Sequence, residues 1–117
     1  MWLSATVVKV YLVLGETDMR KSVNGLSILV SEGFDLDPFS GQLFVFCNKR
    51  RNILKILYYD HNGFCLWYKR LEKSVFHWPK EDTEILEIGS RELMWLLTGM
   101  EVNQPQAHRA ERYDTIY

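Results

Sequence analysis

Three runs rich in β-branched, aromatic and leucine side chains lie close together in the middle of the chain: Gln42 to Cys47, Ile53 to Tyr59 and Phe64 to Leu71. Only the polar gaps Asn48-Lys49-Arg50-Arg51-Asn52 and Asp60-His61-Asn62-Gly63 separate them. Parallel neighbours would need connections of about a dozen residues or more, so gaps this short dictate hairpins and an antiparallel meander. Just ahead of the first run, Asp37-Pro38-Phe39-Ser40-Gly41 carries turn chemistry. Proline fixes one φ and glycine permits a positive one.

The flanks add helices. Thr6 to Leu14 is rich in Val and Tyr and reads as a first strand, its partner left open by the sequence. Thr17 or Asp18 can cap a helix to about Glu32, with Met19, Val23, Leu26, Leu29 and Val30 at helical spacing and Gly33 as its stop. A fourth short strand is expected over Ser74 to His77. A second helix is expected over Ser90 to Thr98, with Ser90 as cap, Leu93, Leu96 and Leu97 on one side, and Gly99 at its end. After Asn103 the apolar pattern fades. The reading is one α+β domain over residues 1–103, with a central antiparallel meander and two main helices. Residues 104–117 form a tail, either flexible or docked through Tyr113, Ile116 and Tyr117. Several strands are apolar on both faces. Either helices cover one face and a partner the other, or the aromatic face is itself a binding surface, and a homodimer is compatible with both.

A formal net charge of -1 conceals a strong internal division. From Gly41 to Lys80, eight bases (Lys49, Arg50, Arg51, Lys55, Lys69, Arg70, Lys73, Lys80) face two acids (Asp60, Glu72), a net of +6. Both flanks are acidic. A basic band inside a neutral protein suits an anionic partner, although solvated strand faces carry lysines too. No run of about 18 apolar residues is present, and Met1 to Val13 lacks the basic start and cleavage site of a signal peptide. No membrane association is expected, and the chain should stay in the cytosol, beside the nucleoid if DNA is bound.

The linear signatures of catalysis are missing: no Walker loop, no GxGxxG, no HExxH and no CxxC. Cys47 and Cys65 lie in apolar strand-like runs and read as reduced core thiols. His61 and Cys65 are four residues apart across a turn and a strand, which does not hold them as a helix would. Asp18, Asp35, Asp37 and Asp60 fall at predicted caps or turns, where aspartate has a structural role. No catalytic residue, metal or cofactor is expected.

The constellation that remains is basic residues interleaved with aromatics. Lys49, Arg50 and Arg51 occupy one hairpin tip, Lys55, Tyr58 and Tyr59 follow along the strand, and Trp67, Tyr68, Lys69 and Arg70 return beside them, with Lys73 beyond. Antiparallel pairing through the 60–63 turn puts odd positions of one strand on the face of even positions of the next. Lys55 then lies beside Tyr68, and Tyr58 shares a face with Trp67 and Lys69. Cations contact phosphates and flat rings stack on bases, so such a ribbon suits DNA. The competing reading is ordinary: strand aromatics fill cores, and a basic tip keeps a loop soluble.

These segments resemble the accessory TnpB proteins, the second-reading-frame products, of insertion-sequence 66 elements. The likeness runs through Thr17-Asp18-Met19-Arg20-Lys21, then Asp37 to Gly41 followed by Leu43-Phe44-Val45-Phe46 and Asn48-Lys49-Arg50. It continues through Leu54-Lys55-Ile56-Leu57, Asp60, Asn62-Gly63-Phe64 and Tyr68-Lys69-Arg70-Leu71, and ends at Phe76 and Trp78-Pro79. The resemblance implies a non-catalytic role in transposition, beside a separate, larger transposase that carries the acidic catalytic residues. Binding to element ends, to that transposase, or to both would fit. Members often finish with a basic tail. This chain does not, which shifts any DNA contact to the band from Lys49 to Lys73, with Arg20 and Lys21 as a helix-end addition unless Arg20 pairs with Asp18 or Asp60. Trp67, Tyr68 and Tyr58 are the rings that a protein partner would meet.

Overall fold

A computed structural model describes residues 8–99. The expected meander is present: β2 (Leu43–Cys47), β3 (Ile53–Asp60) and β4 (Gly63–Arg70) pair antiparallel in sequence order. The register between β3 and β4 sets Lys55 opposite Tyr68, Ile56 opposite Trp67 and Tyr58 opposite Cys65, the parity expected for a turn at 60–63. The strand left without a partner, β1 (Val10–Val13), lies parallel to β2, with Val10 opposite Leu43 and Leu12 opposite Val45. The 29 intervening residues, 14–42, allow the crossover that a parallel pair requires. The sheet is therefore mixed, in the order β4-β3-β2-β1-β5.

The fifth strand is not where the sequence suggests. Ser74 to His77 is irregular, and the strand is β5 (Ile85–Ile88), antiparallel to β1. Phe76 and Trp78 explain the difference. Both side chains are buried in the core, and the Trp78 indole N–H donates to the Leu14 carbonyl at 3.2 Å. These two anchors hold the segment across the sheet end rather than in a ladder.

Alternation along the strands sends Leu43, Val45, Cys47, Leu54 and Ile56 to one face, and Phe44, Phe46 and Leu57 to the other. The first face is covered by α2 (Ser90–Leu97) through Leu93, Leu96 and Leu97, together with Phe76 and Trp78. The second is covered by α1 (Val23–Ile28) and its π-helical continuation (Leu29–Gly33) through Leu26 and Val30. Strands apolar on both faces are thus explained, among the described residues, by the chain's own helices, which cover the central strands on each side.

The first helix begins later than its sequence pattern suggests. Asp18 does not cap it: its carboxylate accepts from the Arg20 amide at 2.9 Å, and its carbonyl accepts from the Lys21 amide at 3.1 Å. Lys55 Nζ takes the Met19 and Lys21 carbonyls at 2.8 and 3.0 Å, so a long-range cation holds acceptors that helical amides would otherwise use. At the far end Gly33 leaves room for Leu29, whose Cδ1 would lie 2.9 Å from a Cβ there, while the positive φ falls to Asp35. Gly41 and Gly99 take the positive φ values expected of a turn glycine and a helix stop. Gly89 rather than Ser90 precedes α2, and its amide donates to the Glu92 carboxylate at 3.1 Å.

Candidate nucleic-acid interface

The turn from Asn48 to Asn52 is tied from inside. Asn48 Oδ1 accepts from the amides of Asn52 and Ile53, both at 3.0 Å, and its amide group donates to Asn52 Oδ1 at 2.8 Å. Arg51 sits at φ 61, and its side chain lies back under the turn. There its guanidinium donates to the Asn48 carbonyl at 3.2 Å and the Leu14 carbonyl at 3.1 Å, and lies 5.6 Å from the Trp78 ring centre. Lys49 and Arg50 point the other way. Both are exposed, and neither side chain has a hydrogen bond or ion pair with the described residues.

The remaining cations divide in the same manner. Lys55 is half-buried on the two carbonyls before α1, and Lys69 donates to the Leu97 carbonyl at 2.9 Å, a cation at a helix C-terminus. Arg20 and Arg70 are exposed and hold neighbouring acids, Asp18 at 2.7 Å and Glu72 at 3.1 Å. Hydrogen bonding from Arg20 lowers the Asp18 carboxyl to about 2, and the hydrogen bond with Glu72 raises the Arg70 guanidinium further above its ordinary value. Lys21 and Lys73 are exposed, with no such bond to the described residues. Arg50 and Lys73, from successive turns, flank a shallow hollow of about 260 Å³ that Asn52, Ser74 and Val75 also line.

The three aromatics proposed for a partner do not form one surface. Tyr58 and Trp67 pack against the core layer under α2, whereas Tyr68 is 51% exposed on the opposite face, beside Lys55. Adjacent strand positions cannot share a face, so Trp67 and Tyr68 were bound to separate. Sequence reading missed a different aromatic group. Phe39, 60% exposed, meets Tyr59 and Phe64 with ring centres 5.0 to 5.1 Å apart at the other end of the sheet. The available signal was a large ring placed inside a proline-glycine turn.

Among the described residues no three His, Cys, Asp or Glu side chains gather as metal ligands. Burial pushes the Cys47 thiol up to about 11, with the Arg51 charge drawing it only partly back, so it stays protonated and a poor nucleophile at neutral pH. A cleft of about 470 Å³ opens at the end of β1 between Leu14, Leu29, Phe34 and Glu84. Thr17 borders it, and the Thr17 hydroxyl is the buried side-chain polar atom without a partner among the described residues. No described helix is long and apolar enough to cross a membrane.

Fold and site together define a small α+β domain that offers exposed cations and rings among its described residues. The chain belongs to the IS66 Orf2-like protein family, whose model matches residues 8–107, and so to a group of transposition-associated accessory proteins. It is 36% identical over 99 residues to the uncharacterized protein y4hO of Sinorhizobium fredii, covering 85% of this chain and 86% of that one. A second protein of the same organism, the uncharacterized y4jC, is 34% identical over 84 residues, covering 72% of each. No solved structure matches.

Proposed function

We propose that this chain is a non-catalytic accessory protein of transposition that binds DNA through the exposed cations at one end of its sheet. The observation that carries this reading is the division of the basic band. Arg51, Lys55 and Lys69 are engaged by backbone carbonyls, whereas Lys49, Arg50, Lys73 and Lys21 are exposed and unengaged among the described residues. Side chains with no internal role are available to replace counterions along a phosphate backbone. Arg20 and Arg70 flank the group through exposed pairs that exchange readily for phosphate. Contacts of this kind position a protein on a duplex and carry little sequence information, so recognition of element ends would draw on the transposase as well. No cofactor or metal enters.

Fluorescence anisotropy on a duplex carrying the element's terminal repeat, against a scrambled duplex, tests the reading. Binding to both, steeply weakened by salt, is expected. Absence of binding at low salt would refute it, and cutting of either duplex in magnesium or manganese would refute the non-catalytic part. A second reading rests on the exposed Phe39 with Tyr59 and Phe64: that this end of the sheet docks on the larger transposase. Loss of co-purification with the transposase on Phe39→Ala, with DNA binding intact, would favour it.

A further inference from the structure

The two edges of the sheet are built differently. β5 is short, Ile85–Ile88, and carries the exposed Glu87 in its middle, which suits an edge that stays open to water. β4 is eight residues long, contains no proline, and pairs with β3 without a break in register from Gly63 to Arg70. Its middle, Phe64 to Tyr68, is uncharged, and its bases fall at one end. Among the described residues, the middle of β4 therefore lacks the usual devices that keep an edge from pairing.

The ladder's phase shows what that edge offers. The Leu71 amide donates to the Asn52 carbonyl at 2.8 Å, one step beyond the last pair of the β3–β4 register. Hydrogen-bonded pairs alternate along antiparallel strands, so odd positions of β4 turn their backbone groups to β3. The even positions Phe64, Leu66, Tyr68 and Arg70 turn theirs outward.

We infer that β4 is a homodimer seam, pairing antiparallel with β4 of a second copy about a two-fold axis at Trp67. That register matches Phe64 with Arg70 of the other copy and Leu66 with Tyr68, so every outward amide and carbonyl of the strand finds a partner. It brings Tyr68, 51% exposed, against an apolar neighbour. Charge selects this arrangement over a parallel one. Antiparallel pairing carries Arg70 toward the Asp60 end of the second copy, whereas parallel pairing would set the Lys69-Arg70 ends of both copies side by side. The result is one continuous ten-stranded sheet, with five strands from each copy.

Sedimentation equilibrium of the full chain over a hundredfold concentration range, with amide hydrogen exchange, tests the seam. The expected mass is twice 13.9 kDa, with the amides of Phe64, Leu66, Tyr68 and Arg70 as protected as those of their odd neighbours. Tyr68→Pro removes an outward N–H and leaves the β3 ladder intact, and should weaken dimerisation about a hundredfold. Tyr68→Lys, which keeps every backbone group, should act in the same direction and covers the case in which the proline variant does not fold. A monomer whose even amides exchange freely would overturn the inference. So would a monomer whose even amides are protected, since another part of the chain would then cover the edge. A dimer that survives both substitutions would also overturn it, by placing the seam elsewhere.

Discussion

Lys49 and Arg50 precede Arg51 in one turn, yet the fold treats them oppositely. Arg51 folds under the turn, onto two carbonyls and the Trp78 ring, while its neighbours stand in solvent. The same contrast separates Lys69, tied to the end of α2, from Lys73 a few residues on. Net charge along a sequence counts these residues equally. The physical difference is whether a backbone acceptor lies within reach. A cation satisfied by carbonyls is part of the scaffold, and one left in water is available to a ligand.

Breaking the inward cation should have the largest effect. Arg51→Ala removes two hydrogen bonds and the contact with Trp78, and should cost about 2–3 kcal/mol in denaturant unfolding. Arg51→Lys should restore little of it, because a single ammonium cannot reproduce the guanidinium fork. Next comes Lys55→Met, which keeps the stem and strips the charge from the Met19 and Lys21 carbonyls. A loss of about 1–2 kcal/mol is expected, with increased exchange of amides around α1.

The Cys47 thiol, beneath Arg51, supplies a pH test. Its folded pKa is raised, so the unfolded chain ionises first as pH climbs, and stability is present below about 9 and lost through about 11. Wild type should lose about 1 kcal/mol more than Cys47→Ala between pH 8 and pH 10. The smallest effect belongs to the outward pair: Lys49→Ala and Arg50→Ala should each change stability by less than about 0.5 kcal/mol. A large loss from either would move that residue into the scaffold class.

The meander was legible because its gaps were too short for anything but hairpins, and the parity of β3 and β4 followed from one turn. Long-range contacts hid the rest. Nothing local in Thr17 to Ser22 announces that Lys55, from the sheet, takes carbonyls a helix would use. Phe76 and Trp78 carry strand-like composition, but burial of both rings and the Leu14 contact fix an irregular path. The basic band was visible as a count. Its division into engaged and unengaged members required the positions of Leu14, Met19, Lys21 and Leu97, residues remote in sequence from the cations they hold.

The most direct test of the central claim compares Lys49→Ala/Arg50→Ala/Lys73→Ala with Lys69→Met in anisotropy titrations on one duplex across a salt series, each variant first shown to be folded. The triple variant should weaken binding and flatten the dependence of log Kd on log salt by about two to three, roughly one per lost phosphate contact. Lys69→Met, which deletes a cation already held by the Leu97 carbonyl, should leave that slope unchanged. An unchanged slope in the triple variant, or a flattened one in Lys69→Met, would contradict the division between scaffold and ligand-facing cations.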